Sequence, residues 1–361
     1  MKLTINSKDL LKAVSLVGSL IKTPHTMPIL ENILFIVQGS KMMIVADNLE
    51  VRSQVEISVD TDCEISVCLP YKLLSSILKG FANEPIEFDF QEKVVSIKSA
   101  TGTYNVPPVP AIEFPDNKKE SGSEYVEINS WEFVRALKKA TFFTDKDNSA
   151  MANLNNVLIS ISEEGTKVAS TDKRVIFEYS LEAKGSPVKL MLSGSSAMYM
   201  IQSISTDEQI KLYHSGNHVI LSLENREISA VLSDTSFPDY VRVIESLKMD
   251  KTLKIDRDVI LPALKRLHNI TDQKNHTLVF LLKDNTLELS FQHDLMKFDA
   301  VEKLVCDYDG QEIKIGFSAN YLNNLLTAIE DDIVLELSTP ILPCKITADN
   351  IRAILSPIRL N

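Results

Sequence analysis

Alternating apolar and polar positions that run into a helix-spaced apolar stripe recur along this chain. The stretches Leu3–Val14, Val126–Leu137 and Leu253–Leu264 each read as a short strand, a polar residue suited to capping, and the start of a helix. Their cap positions, Asn6, Asn129 and Asp256, lie 123 and 127 residues apart. A second strand-to-helix element recurs at Leu69–Phe81, Leu192–Ile204 and Phe317–Ile329, with offsets of 123 and 125. Two independent elements at nearly one spacing predict three homologous domains, at 1–122, 123–246 and 247–361. Repeats of that length are whole domains, since solenoid units run roughly 20–50 residues.

Within each third the pattern is strand, helix, strands, then strand, helix, strands. Helices are predicted at 7–22, 70–79, 130–141, 193–205, 257–269 and 319–329. Strands are predicted at 33–37 and 42–46 around the turn Gln38–Lys41, at 64–68, 86–90 and 94–98, and at 157–161, 188–192, 210–213 and 219–223. The last third adds 279–282, 287–291, 313–317 and 333–337. Proline-containing connectors at 106–110, 114–123 and 237–246 separate the thirds. Period-2 strands with few crossover units predict an α+β fold with antiparallel sheets. Asn6 with Asp9, and Asn129 with Glu132, have capping-box spacing, whereas Asp256 is followed by Val259 and is a simpler cap. The first helix presents Leu10, Leu11, Val14 and Val17 as its apolar stripe, leaving Lys8, Lys12 and Lys22 off it.

Composition narrows the function. The apolar share of 44% suits several ordinary globular cores. No run approaches the roughly 18 apolar residues of a membrane span, and the N-terminus has no signal-peptide core; a cytoplasmic protein is expected. Four cysteines, Cys63, Cys68, Cys306 and Cys344, read as reduced buried thiols and not as a disulfide framework. Only 11 glycines are present and no phosphate-cradling glycine motif occurs, which makes nucleotide chemistry improbable.

The net charge of −11 speaks against a nucleic-acid partner until its location is considered. The six predicted helices together carry +8, so the rest of the chain carries −19. Lys8, Lys12, Lys22, Lys72, Lys79, Arg135, Lys138, Lys139, Lys265 and Arg266 are the candidate phosphate-facing cations. One reading is that these are simply solvated helix faces. The other is a basic helical surface on an acidic body, which meets phosphates without reading bases. Little in these helices could read or stack on bases.

Three α+β repeats with two helices each, basic helices and an apolar C-terminal tail together resemble the bacterial DNA polymerase III β subunits, the sliding clamps. The resemblance runs the whole chain. Its most specific pieces are His25–Asn32, Ala169–Val175, Phe237–Val243 and Leu355–Leu360. It implies three clamp domains, each with two helices packed on antiparallel sheets, forming half of a closed ring. Two chains would pair head to tail around duplex DNA, helices inward, and His25 joins the DNA-facing set. The ring would slide without sequence specificity and tether the replicative polymerase by contact, needing no cofactor or metal.

The resemblance also implies a hydrophobic pocket for partner peptides. Leu154, Thr171, Arg174, Val175, Pro238, Arg242, Val243, Pro343, Ile354, Ser356, Pro357, Ile358 and Arg359 match its positions. Partners would be the polymerase subunit and the clamp loader, with repair polymerases, ligase or mismatch-repair proteins as further users. Tyr104 and Val106 match the dimer contact on the first domain, and Asn269 and Ile270 the facing positions on the third. The chain departs from the family where Thr171–Arg174 is one residue shorter than the usual Thr-Asp-Gly-His-Arg, where Ser356 replaces a bulky apolar residue, and where Met151–Asn153 lacks basic and aromatic residues.

Other chemistry fails on its residues. His214 and His218 flank Ser-Gly-Asn, which reads as a solvated hairpin turn and not a zinc pair. Asp145–Ser149 begins like a calcium loop but lacks its glycine and terminal glutamate. Glu330–Asp332 is an exposed acidic run at a helix exit, Ser193–Ser196 lacks a nucleophile elbow, and His268 reads as a surface residue within reach of phosphate. No catalytic constellation emerges, so the leading function is a non-enzymatic, DNA-encircling processivity factor. The alternatives are a divergent clamp-fold scaffold not serving the replicative polymerase and, remotely, a hydrolase with dispersed residues.

Overall fold

Each of the six predicted strand-to-helix joints forms, and at four of them a capping side chain shows why, whereas Pro70 and Ser318 make no side-chain cap bond. The computed structural model describes every residue except 23, 62–63, 117–121, 123, 146–151, 205–207, 273–275, 294 and 361. Its helices are α1 (Ser7–Gly18), α2 (Tyr71–Gly80), α3 (Ser130–Thr141), α4 (Gly194–Ser203), α5 (Tyr240–Ser246), α6 (Arg257–His268) and α7 (Ala319–Ala328). Asn6 Oδ1 accepts from the amides of Lys8 and Asp9 at 2.9 and 3.4 Å, and Asn129 Oδ1 from those of Trp131 and Glu132 at 3.0 and 3.2 Å. These are the forward bonds of a capping box, satisfying amides that have no intrahelical partner. Asp256 accepts from Asp258 at 2.7 Å, and Ser193 Oγ accepts from the Ser196 amide at 3.1 Å.

Two expectations change. α1 ends at Gly18, not at residue 22, and a side chain at Gly18 would meet the Tyr71 ring at 2.1 Å. That glycine lets α1 approach α2 closely, and Lys22 lies beyond the helix. The connector at 237–246 contains α5. Asp239 caps it, accepting from the Arg242 amide, and Tyr240 and Ile244 bury one turn apart. Its single short apolar stripe is too brief to register as periodicity.

The described residues form two compact units, Met1–Val134 with Met198–Leu232, and Arg135–Ala197 with Ser233–Asn361. The first holds a four-stranded antiparallel sheet in the order Lys2–Asn6, Pro85–Phe90, Val95–Lys98, Thr103–Val106. It also holds a nine-stranded sheet in which Val51–Ser58 pairs with Arg226–Val231, joining strands from the first and second repeats. The second unit repeats the plan. Its nine-stranded sheet joins Val175–Leu181 to Ile351–Leu355, and its four-stranded sheet runs Phe298–Val305, Thr286–His293, Thr277–Lys283, Ile313–Ser318. The middle repeat therefore supplies strands to both units. Local pattern reading missed the strands at these joins, Val51–Ser58, Val175–Leu181 and Arg226–Val231, because burial on two faces obscures alternation.

Cys68, Cys306 and Cys344 are unpaired and buried, as expected, and burial pushes the Cys68 and Cys344 thiols up to about 12. Cys63 lies outside the described residues. His214 and His218 flank a hairpin turn with Gly216 at φ +58°, but His218 is buried and not solvated. Among the described residues no group of three or more His, Cys, Asp or Glu could hold a metal. The calcium-like stretch falls largely outside the described residues.

Candidate functional site

In the second unit, hydrogen bonds and strand pairing gather five segments of distant sequence position. Val175 pairs with Leu355 and Ile176 with Ile354, while Cys344, next to Pro343, pairs with Leu355. The Ser356 amide donates to the Arg174 carbonyl at 2.9 Å, and the Ile358 amide to the Gly316 carbonyl at 2.7 Å. Asn153 Nδ2 donates to the Ser236 carbonyl at 3.2 Å, tying the turn that carries Leu154 to the Phe237–Pro238 approach of α5. Leu158, Ala169, Met191, Tyr240, Ile244 and Ile354 form one buried cluster with Phe237 and Val241 packed against it.

Among the candidate peptide-pocket residues, depth divides the roles. Leu154, Thr171, Val175 and Ile354 are buried. Pro343, Ser356, Pro357 and Ile358 are half-buried, and Pro238, Arg174, Arg242, Val243 and Arg359 are exposed. Buried apolar Leu154, Val175 and Ile354 and exposed Arg174, Arg242 and Arg359 on the same segments are the residue types that suit a peptide with apolar anchors and acidic or carbonyl groups. The turn before Val175 is tightly made. Thr171 Oγ1 donates to the Val175 carbonyl at 2.6 Å, and Asp172 accepts from the Arg174 and Val175 amides at 3.0 and 2.9 Å. Tyr321 of α7 donates to the other Asp172 oxygen, and burial with that bond holds its hydroxyl protonated, above the usual phenol range.

The turn places Lys173 at φ +78°. A side chain in the left-handed region costs about 1–2 kcal/mol, and glycine's extra chain entropy costs about 0.5–1. Lys173→Gly is therefore expected to stabilise the protein by about 0.5–1 kcal/mol, read as a raised melting temperature; a lowered one contradicts the strain.

Sequence reasoning missed the support beneath this site. Glu178 is buried, and its carboxylate accepts from the Tyr240 hydroxyl at 2.6 Å and from Arg352 at 2.8 and 3.1 Å. It thereby fixes α5 and the C-terminal strand against the sheet. Burial, and then the Glu178 bond, keeps the Tyr240 hydroxyl protonated above its ordinary range. An acid at a strand position two residues before Ser180 carries no local mark of this role.

The candidate DNA-facing cations do not stand alike. Lys12, Lys22, Lys72, Lys79, Lys138 and Lys265 are exposed. Lys8 donates to the Phe81 carbonyl at 2.9 Å, and His25 accepts from the Met27 amide at 3.1 Å while its own amide donates to Glu31. Arg135 and Lys139 both engage Glu330, at 2.6 and 3.4 Å. Lys139 is buried, and desolvation lowers its pKa from the usual lysine range. The acidic run 330–332 is thus in part a counter-charge for α3 and not only solvated surface. Arg266 is held by both oxygens of Glu302, at 2.7 and 3.0 Å, and His268 contacts Asn320 at 2.8 Å.

At the candidate dimer contacts, Thr103–Val106 ends its sheet, and Tyr104 is 43% exposed with its ring edge-on to Phe81 at 5.4 Å. Val106 is fully buried, so its side chain belongs to its own core. Asn269 caps α6 at its C-terminus and is exposed beside Ile270. The neighbouring sheet ends on Phe298–Val305, whose Val301 and Val305 are 49% and 83% exposed. That open apolar edge was not legible as a strand in the sequence.

A family model for the N-terminal domain of the DNA polymerase III beta subunit matches residues 1–118, and one for its C-terminal domain matches 247–356. The chain is 26% identical over 333 residues to a beta sliding clamp of Caulobacter vibrioides, covering 89% of each. It is 23% identical over 367 residues to that of Synechococcus elongatus, covering 96% of this chain and 97% of the relative. Its fold is similar to the DNA polymerase III subunit beta of Pseudomonas aeruginosa, with a TM-score of 0.93, 21% identity and full coverage of both chains. The Bacillus subtilis DNA polymerase sliding clamp matches at 0.94 with 18% identity, again over both whole chains.

Proposed function

The chain belongs to the family of DNA polymerase III beta subunits, whose two domain models together match more than half of it, and from that premise we propose how it works. It is a processivity clamp: a ring of two chains that encircles duplex DNA and tethers the replicative polymerase. Each chain contributes three clamp domains, at 1–122, 123–246 and 247–361, and the ring acts without catalysing a reaction. The observation that carries this reading is the pair of open sheet edges, Thr103–Val106 in one unit and Phe298–Val305 in the other. An exposed strand edge pairs readily with another chain. Two different edges on one chain pair heterologously, head to tail, and such contacts close into a ring when their rotations complete a turn. Tyr104 on one chain and Asn269 and Ile270 on the other flank that contact.

Exposed Lys12, Lys22, Lys72, Lys79, Lys138 and Lys265, with Lys8 and His25, meet the DNA backbone. Arg135, Lys139 and Arg266, already held by glutamates, contribute less. Grip is therefore weak and non-specific, which suits sliding. The pocket over Leu154, Val175 and Ile354 captures peptide segments of the polymerase, the clamp loader and repair proteins such as repair polymerases, ligase and mismatch-repair factors. No described helix is long and apolar enough to cross a membrane, and we place the protein in the cytoplasm with the chromosome.

The test is primer extension by the host's replicative polymerase on a primed circular template with its clamp loader. Products should lengthen when the protein is added and revert with Arg174→Glu together with Arg242→Glu. An unchanged product length would favour a clamp-fold scaffold outside replication.

A further inference from the structure

Two turns of the same build occur, one in each unit, and only one of them is braced from outside. Asn48 Oδ1 accepts from the Glu50 and Val51 amides at 3.0 and 2.7 Å, as Asp172 does from those of Arg174 and Val175. Leu49 stands at φ +72° where Lys173 stands at +78°. The Val231 amide donates to the Glu50 carbonyl at 2.9 Å, as the Ser356 amide does to that of Arg174. An asparagine side chain therefore suffices to make this turn. In the second unit the residue is an aspartate, and its other oxygen accepts from the Tyr321 hydroxyl. Asn48 has no such third bond among the described residues. An asparagine at 172 would keep the turn but present an amide NH2, which cannot accept from the phenol. The phenol bond is thus additional to the turn, and it requires the carboxylate.

What the brace holds is Arg174. Its amide is fixed by Asp172 and its carbonyl by the Ser356 amide, so the main chain is pinned on both sides. Its guanidinium is exposed and makes no hydrogen bond or ion pair among the described residues. Tyr321 is itself firmly placed, because α7 buries Leu322, Leu325 and Leu326. Burial and the Asp172 bond keep its hydroxyl protonated, so it remains a donor. A cation on a pinned main chain loses less conformational freedom when a ligand meets it.

We infer that Asp172, braced by Tyr321, is a positioning residue for peptide capture: it aims Arg174 at an acceptor oxygen of the bound segment and touches no ligand itself. The inference rests on the partner-pocket reading and adds to it a source of pre-organisation. The order of action is Tyr321 on Asp172, Asp172 on the turn, and the turn on Arg174.

The test is a double-mutant cycle on the full-length protein, with binding of the host's replicative polymerase subunit followed by surface plasmon resonance. Tyr321→Phe, which keeps the ring, should weaken binding about fivefold, the size of one net hydrogen bond. Asp172→Asn, which keeps the turn, should match it. In an Arg174→Ala background neither substitution should weaken binding further, because residues acting through one network are not additive. A merely structural contribution would lower affinity by the same factor in both backgrounds. That additivity, or unchanged affinity in Tyr321→Phe, would overturn the positioning role while leaving the pocket intact. Wild-type protein that fails to bind the polymerase subunit, or an Arg174→Ala variant that binds it equally well, would overturn the pocket reading and the inference with it.

Discussion

Glu178→Ala is expected to cost about 3–5 kcal/mol, because removing one partner of a buried charged network strands the others. The substitution leaves the buried Tyr240 hydroxyl without its acceptor and Arg352 without its counter-charge. The loss falls on the second unit, so its calorimetric transition should drop by roughly 6–20 °C, at about 2–4 °C per kcal/mol for a unit of this size. Glu178→Gln keeps an acceptor for Tyr240 and should cost less. Peptide capture should weaken with the alanine variant too, since Tyr240 and Ile354 share the cluster beneath the pocket. A shift equal to that of an exposed substitution, within about 0.5 kcal/mol, would show that Glu178 does not support the site.

The second large effect concerns the ring. Tyr104→Asp combined with Ile270→Asp places a carboxylate on each side of the proposed contact, and both residues are exposed in the single chain. Burying unpaired charge within an interface costs on the order of 2–4 kcal/mol per contact. The molar mass in solution should fall from twice 40.4 kDa to 40.4 kDa, with unfolding temperature nearly unchanged. Persistence of the dimer would move the interface elsewhere.

What the sequence made legible was local. Asn6, Asn129 and Asp256 act on amides two or three residues away, so their spacing exposes both the caps and the threefold repeat. α5 escaped because Tyr240 and Ile244 make only one turn of pattern. The pocket segments were found through likeness to a family, not through any property of Leu154 or Ile354 that separates them from core residues. Glu178 with Arg352, and Glu330 with Arg135, lie far apart in the chain, and no local pattern marks such pairs. Their discovery also revises the charge reading. With Lys22 outside α1 the helices still sum to a positive charge, +7, but part of it is spent within the protein on Glu330 and Glu302.

Enclosure of DNA is the central claim, and topology tests it most directly. The protein, loaded onto nicked circular DNA by its host's clamp loader, is passed through a sizing column in moderate salt before and after a single restriction cut. Enclosure predicts that it stays with the circle and is lost from the linear form, because weak phosphate contacts alone do not hold it. Equal retention on both forms would contradict the ring and leave a binder that holds DNA by contact.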